Sequence, residues 1–179
     1  MLLQTQRLRM TEMLDSDRDA CLRLCADVRS EKVKALMEYD TFREAFEDMT
    51  WTEIRRDSFN CMIRNREDLV VGRICMQHIS EPIPELGIDL FAAYRNQGYG
   101  PEAITAFVDW YKREHNLATV KVRIEKDNIQ SIKVFEKLGA EYVGVDTLVR
   151  KAAIERFKEI FPDDDTSMLE TPTILVYNL

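Results

Sequence analysis

Cysteine and histidine are scarce in this sequence of 179 residues, which contains four Cys and two His. The cysteines Cys21, Cys25, Cys61 and Cys75 form no CxxC pair, and the last two fall in apolar stretches typical of strands. The two histidines are far apart and show no metal-binding spacing such as HExxH. We therefore predict buried free thiols and no metal site.

Long apolar runs and an excess of positive charge are also missing. No stretch approaches the roughly 20 apolar residues that a membrane-spanning helix needs, and the opening MLLQTQRLRM is too short and too polar for a secretory signal. The formal net charge of -7 argues against general binding to nucleic acid or to an anionic membrane, and it suits a cationic partner such as an amine. We expect a cytoplasmic protein with no nucleic-acid or membrane partner.

The residues that are present, 45% of them hydrophobic and 32% charged, suffice for one ordinary globular domain over 1–179. In the first half, the patterns predict a strand at 7–14, helices from about 16 and over 31–49 with a break near 39–41, a hairpin of 58–65 and 69–79, and a strand at 85–91. In the second half, they predict helices at 101–114, after 128 and at 150–161, alternating with strands at 119–125, after 139 and at the chain end. Hairpins followed by helix-strand alternation favour an α/β fold with a mixed sheet and helices on its faces.

The segment RNQGYG at 95–100 stands directly before the helix predicted from Pro101. Glycines at a helix start let the backbone approach a ligand closely and aim several N–H groups at an anion, such as a pyrophosphate. Proline suits a first helical position, because its missing N–H would have no partner there. A plain glycine turn would fit the same residues, and the two glycines alone do not decide between these interpretations.

A dinucleotide site is a rival hypothesis, because Gly98, Gly100 and Ala103 satisfy GxGxxA and Glu125 could mimic the acidic ribose ligand. That fingerprint requires the glycine turn directly after a strand, whereas AAYRNQ separates Phe91 from the first glycine. A Walker-type loop fails because no Lys-Ser or Lys-Thr follows. Spacing thus argues against the dinucleotide site, and the missing residues argue against the Walker-type loop.

A third template fits better, because the hexamer matches the R/Q-x-x-G-x-G/A signature of the GNAT acyltransferase superfamily. The segment NIQSIKVFEKLGA is similar to the N-x-x-S-x-x-V-x-E-K-L-G-F pattern of the branch that includes ribosomal-protein alanine N-acetyltransferases. The opening TQRLRMTEMLDSDRDA resembles that branch's first strand and helix. The resemblance implies a GNAT fold, with a mostly antiparallel sheet of about seven strands and helices on both faces, and an acyl-CoA-dependent N-acetyltransferase.

The resemblance also implies a binding site for acetyl-CoA as cosubstrate. Amides of the loop would hold the pyrophosphate, and an arginine would add positive charge. The preceding strand would splay from its neighbour around a bulge and pair with the pantetheine arm. An N–H of this strand would polarise the thioester carbonyl. The residues expected to bind the cosubstrate are Leu90, Phe91, Ala92, Arg95, Gln97, Gly98, Tyr99, Gly100 and Asn128.

For catalysis, Glu85 is the first candidate for the general base, because family members often carry a glutamate near the start of this strand. Alternation along ELGIDLF places Asp89 on the same face, and Asp89 or a water chain are the alternatives. The tyrosine that commonly protonates the leaving thiolate is replaced by Phe135, so Ser131 is the substitute donor. Ser131 could equally be a first-turn helix residue bonded to local backbone.

The acceptor amine, a small molecule or a protein N-terminus, is not identified by the sequence. The acidic run at 163–165 could attract a basic peptide or a polyamine, or it could be a solvated loop. The replacement at Phe135 also keeps open a catalytically silent module that binds or senses acyl-CoA. We allow for a homodimer.

Overall fold

The computed structural model describes residues 2–29, 31–146 and 173–179. Contacts between Cα atoms divide the chain into two compact units, Met1–Val120 and Lys121–Leu179. The helix predicted at 150–161 and the acidic run at 163–165 lie outside the described residues. The organisation of 1–179 as one domain stays a prediction.

The first unit holds five strands and four helices within its described residues. They are, in chain order, β1 (Leu3–Gln4), β2 (Leu8–Glu12), α1 (Arg18–Asp27), α2 (Glu31–Leu36), α3 (Asp40–Glu53), β3 (Ser58–Asn65), β4 (Val70–Gln77), β5 (Glu85–Leu90) and α4 (Tyr99–His115). Short 3₁₀ turns precede α1 at Asp15–Asp17 and follow β5 at Ala92–Tyr94. The predicted break near 39–41 is confirmed between α2 and α3.

The strands of the first unit pair in chain order, and each is antiparallel to the next. The predicted hairpin is confirmed, with Ser58 opposite Gln77. Strand β1, which the sequence did not predict, has only two residues, so it is too short to show a period. It brings the described strands of the chain to eight, against about seven expected, and the α/β class with a mostly antiparallel sheet is confirmed.

Helix α4 covers one face of this sheet. Its predicted apolar stripe is fully confirmed, since the buried residues of the helix are Ala103, Ile104, Phe107, Val108 and Tyr111. The ring of Phe107 stacks on that of Phe59 from β3, with centroids 6.4 Å apart. Because successive side chains of a strand point to opposite faces, the side of β3 that carries Phe59 is the α4 side.

Helix α1 covers the opposite face, where Cys21 and Cys25 pack with Met62 of β3 in one buried cluster. All four cysteines are buried and free, as predicted. Burial raises the pKa of Cys61 to about 12, so this thiol stays protonated at neutral pH. The helices therefore lie on both faces of the first unit's sheet.

The second unit contains β6 (Lys121–Glu125), α5 (Ile129–Lys137), β7 (Glu141–Asp146) and β8 (Ile174–Asn178). Strand β8 lies between β6 and β7 and is antiparallel to both. After α5, Gly139 takes a left-handed φ of 89°, which is the predicted glycine stop. Across the described residues, none of the helices has the length and hydropathy needed to span a bilayer.

Candidate active site

The segment 95–100 consists of an exposed loop at 95–98, after the 3₁₀ turn that follows β5, and of the first two residues of helix α4, which are half-buried. Two of its residues have left-handed backbone, Asn96 with φ 61° and Gly98 with φ 78°. A Cβ on residue 98 would also lie 3.1 Å from Nη2 of Arg7. The left-handed φ therefore favours glycine at position 98, and a Cβ there would also require the Arg7 guanidinium to shift slightly, whereas a Cβ on Gly100 would meet only Cδ1 of Leu90 at an ordinary 3.7 Å.

Helix α4 begins at Tyr99, two residues before the predicted start at Pro101. Its first turn is closed by the N–H of Glu102, which donates to the carbonyl of Gly98 at 3.4 Å. The N–H groups of Gly98, Tyr99 and Gly100 thus precede the first intrahelical bond, and no side chain caps this helix start. Pro101 falls at the third helical position, still within the turn that needs no N–H donor. The helix dipole and these amides make the start of α4 suitable for an anion.

Arg95, expected to lend positive charge to the loop, is engaged on two sides in this structure. Its Nε donates to the carbonyl of Leu90 at 3.0 Å, and its Nη2 lies 3.9 Å from a carboxylate oxygen of Asp27, at the end of α1. The same carboxylate accepts the N–H of Ala92 at 2.7 Å. Asp27, which sequence reasoning missed, therefore joins the end of α1 to the segment before the loop.

The loop is also held from the side of β2. Nη1 of Arg7 donates to the carbonyl of Gln97 at 2.8 Å, and its guanidinium lies 4.8 Å from the ring centre of Tyr99. Glu102 pairs with Nε of Arg7 at 2.7 Å. Burial alone would raise the pKa of Glu102, but hydrogen bonds from Thr5 and from Arg7 outweigh it, and the pKa lies below its usual value.

Strand β5 presents the two candidate bases on the face covered by α1. Asp89 lies opposite Arg73 of β4 in the register, and Nη2 of Arg73 donates to its carboxylate at 2.9 Å. The Arg73 side chain is 6% exposed and also donates to Asn60 at 3.2 Å. Glu85 is half-buried at the start of the strand, about 13 Å from Asp89 along it. The two carboxylates therefore do not form a pair.

The backbone at the end of β5 offers its groups in alternating directions. The N–H of Phe91 donates to the carbonyl of Val71 at 3.1 Å and is used within the sheet. Leu90, one residue earlier, therefore directs its N–H and carbonyl away from β4. The register of β5 with β4 is continuous, so the expected bulge is not found on this side, and the irregularity in this part of the sheet lies between Ile63 and Arg64.

In the second unit, Asn128 and Ser131 stand at the start of α5. The side-chain oxygen of Asn128 accepts the backbone N–H of Ser131 at 3.1 Å, which makes Asn128 the cap of this helix. Asn128 is exposed and Ser131 half-buried. Phe135, the residue in place of the family tyrosine, is 3% exposed and belongs to the core.

No cluster of three or more His, Cys, Asp or Glu side chains that could hold a metal ion occurs within 2–29, 31–146 and 173–179. Two groups of residues therefore meet around the loop. Arg95 contacts both the carbonyl of Leu90 and the carboxylate of Asp27. Arg7 lies against Gln97, Gly98 and Tyr99. Neither Asp27 nor Arg7 carried a sequence signal of its own, although Arg7 stands in the segment TQRLRM that resembles the family's first strand.

Comparisons with known proteins agree with this fold. Residues 7–141 match the sequence model of the acetyltransferase (GNAT) domain. The uncharacterized N-acetyltransferase YnaD of Bacillus subtilis (strain 168) is 29% identical over 89 residues, which is 49% of this chain and 52% of that protein. The chain thus matches about half the length of this curated relative.

Two solved structures support the fold alone. A dodecameric spermidine N-acetyltransferase from Vibrio cholerae superposes with a TM-score of 0.68 at 12% identity, over 98% of this chain and 94% of that one. A GNAT-family acetyltransferase from Bacillus anthracis gives a TM-score of 0.68 at 19% identity, over 100% and 98% of the two chains. The narrower likeness to ribosomal-protein alanine N-acetyltransferases stays a prediction.

Proposed function

The chain belongs to the GNAT acetyltransferase family, and from this premise we propose that it transfers the acetyl group of acetyl-CoA to a primary amine by direct attack in a ternary complex. The acceptor is a small-molecule amine or a protein N-terminus. The observation that carries the proposal is the uncapped start of α4, where consecutive N–H groups follow a glycine in left-handed conformation.

The residues at this helix start fit the diphosphate of acetyl-CoA. The N–H groups of Gln97, Gly98, Tyr99 and Gly100 would hold it, and a side chain at 98 would press on the Arg7 guanidinium that lies against this loop. Arg95 would add charge once its contact with Asp27 is loosened. When bound, acetyl-CoA supplies an activated thioester.

The amide of Leu90 is our choice for polarising the thioester carbonyl. The N–H of Phe91 is used by Val71 and that of Ala92 by Asp27, whereas Leu90 points away from β4. Glu85 stands at the other end of the same strand, at its start. An oxyanion donor fixed in a strand costs little reorganisation during reaction.

Glu85 is the proposed general base, with water carrying the proton over the remaining distance. Asp89 is the weaker candidate because its carboxylate is committed to the buried guanidinium of Arg73. The hydroxyl of Ser131 is the proposed donor to the leaving thiolate, supported by the absence of a hydroxyl at the buried Phe135. The cap by Asn128 fixes the backbone of Ser131 in the first turn of α5.

The function is tested by measuring thiol release from acetyl-CoA across a panel of amines that includes polyamines, small aromatic amines and peptides with free N-termini. Turnover on one class is the expected result. Tight binding of coenzyme A without turnover on any amine would favour the silent binding module instead. Thermal stabilisation by NAD but not by coenzyme A would refute the acyltransferase proposal.

The role of Glu85 is tested with Glu85→Gln. We expect a rate loss of about 100-fold at neutral pH, and a smaller loss at high pH, where the acceptor is already a neutral amine. Glu81→Gln, which removes a carboxylate from the exposed segment before β5, is the matched control. An unchanged pH profile in Glu85→Gln would eliminate this residue as the base.

A further inference from the structure

Arg7 lies against the loop that precedes α4, on the side of β2. Besides its bond to the Gln97 carbonyl, its Nη2 lies 3.1 Å from where a Cβ on Gly98 would be, and its guanidinium covers the ring of Tyr99. One side chain from the turn before β2 thus contacts three successive residues of the loop, although it stands 90 residues away from Gln97 in the sequence.

Glu102 fixes the position of Arg7. One oxygen of its carboxylate accepts the backbone N–H of Arg7 at 2.9 Å and the hydroxyl of Thr5 at 2.5 Å, while the other pairs with Nε of Arg7. The Glu102 side chain is 18% exposed. This carboxylate holds both the backbone and the guanidinium of Arg7, and it neutralises the charge of the guanidinium.

The bond to Gln97 has a geometric consequence for the neighbouring amide. The carbonyl of Gln97 and the N–H of Gly98 belong to one planar trans peptide unit, so they point in opposite directions. By holding the carbonyl toward β2, Arg7 turns the N–H of Gly98 to the other side of the loop. That N–H is the first of the group at the start of α4 that precedes any intrahelical bond.

We propose that Arg7 is a positioning residue for the diphosphate-binding loop, acting through the peptide unit between Gln97 and Gly98. This inference rests on the proposed function. The role is one of geometry: Glu102 neutralises the guanidinium, and the Gln97 bond and the contact with Tyr99 set the direction of the loop amides before any ligand arrives. A loop preorganised in this way loses less entropy on binding.

The test compares Arg7→Gln and Arg7→Lys with Arg43→Gln in the full chain. Arg43 of α3 also donates from its guanidinium to a backbone carbonyl, that of Met37, and pairs with a carboxylate, that of Asp40, so its variant loses similar bonds away from the loop. The Arg7 side chain is 40% exposed, and we expect all three variants to fold. Affinity for coenzyme A and for pantetheine, which lacks the diphosphate, is measured by titration calorimetry, and the order parameter of the Gly98 amide by ¹⁵N relaxation.

We expect both Arg7 variants to bind coenzyme A about tenfold more weakly, the size of one hydrogen bond to a charged group, with pantetheine binding unchanged. The Gly98 amide should also become more mobile in the ligand-free variants. Arg43→Gln should match the wild type. Lysine keeps the charge but lacks the planar guanidinium that bonds Glu102 through Nε and the Gln97 carbonyl through Nη1. Full rescue by Arg7→Lys would therefore overturn the geometric role.

Unchanged affinity in Arg7→Gln, or an equal loss in Arg43→Gln, would overturn the inference and leave the proposed function standing. An equal loss for coenzyme A and pantetheine would do the same, because it would place the effect outside the diphosphate site. A wild-type chain that binds no coenzyme A would defeat the proposed function and this inference with it.

Discussion

Helices α4 and α5 meet the same requirement in opposite ways. Each begins with N–H groups that have no partner inside the helix. In α5 the side chain of Asn128 closes the turn by accepting the N–H of Ser131. In α4 the capping position is Gly98, which has no side chain to offer, and the acidic residue of its first turn, Glu102, is engaged with Thr5 and Arg7 instead.

The difference separates a helix start that serves the fold from one that is left available. A cap stabilises a helix by about 1 kcal/mol, and α4 forgoes it while gaining support from 17 residues of length and a buried apolar stripe. A helix that is stable without its cap can leave its amides for a ligand. Substitutions at the two helix starts test this distinction.

Gly98→Val should have the largest effect on ligand binding. A β-branched residue is strained at a φ of 78°, and its Cβ would press on Arg7, so the loop would have to rearrange. We expect coenzyme A affinity to fall about 100-fold, the effect of roughly 3 kcal/mol of strain and steric block, while circular dichroism shows the fold retained.

Gly100→Ala is the matched control and should bind within about threefold of wild type, since its Cβ makes only an ordinary contact. Retained micromolar affinity in Gly98→Val would contradict the assignment of the loop.

Asn128→Ala should act on stability. Removing the cap of α5 should lower the free energy of unfolding by about 1 kcal/mol, measured by urea denaturation. Asn128→Asp, which keeps an oxygen to accept the Ser131 N–H, should restore most of the loss. If Asn128→Asp restores stability but weakens binding of coenzyme A, then Asn128 also contacts the cosubstrate, as the family resemblance implies. No stability loss in Asn128→Ala would show that the cap is dispensable.

Asp27→Asn should alter affinity by a smaller amount. The carboxylate sits 3.9 Å from Arg95 and accepts the Ala92 N–H; asparagine keeps an acceptor for that N–H and removes only the charge. With Arg95 no longer neutralised, coenzyme A should bind about threefold more tightly at low salt, and the gain should vanish at high salt. Asp48→Asn, which removes an exposed charge of α3 that pairs with Arg18 of α1, should change nothing. Weaker binding in Asp27→Asn would mean that the charge organises the segment and does not compete with the ligand.

The contrast also shows what the sequence could predict. Features that depend on neighbours in the chain were predicted well: the stripe of α4, the hairpin of β3 and β4, the glycine stop at Gly139 and the Asn128 helix start. Each follows from a period or from the conformational range of one residue.

Features that depend on distant residues were missed. Arg7 and Glu102 are 95 positions apart and Asp27 and Ala92 are 65 apart, and no local pattern reports which side chain will reach a given carbonyl. The early start of α4 at Tyr99 was missed for a local reason, because the proline that suggested a start at 101 is tolerated anywhere in the first turn. Asp89 looked like a free carboxylate until the fold placed Arg73 beside it.

Glu102 gives the smallest effect and tests why α4 lacks a side-chain cap. Its pKa is held below the usual glutamate value of 4.5 in the folded chain, so its ionised form is the one that the fold stabilises. The contribution to stability is therefore complete above the unfolded-state pKa and is lost as the pH falls through the folded-state pKa. Glu102→Gln should be less stable than wild type at pH 7, and the difference should shrink as the pH is lowered below 4.5.

Glu114→Gln, an exposed change in the last turn of the same helix, is the control. A difference between wild type and Glu102→Gln that stays constant with pH would mean that the carboxylate contributes no charge-dependent stability.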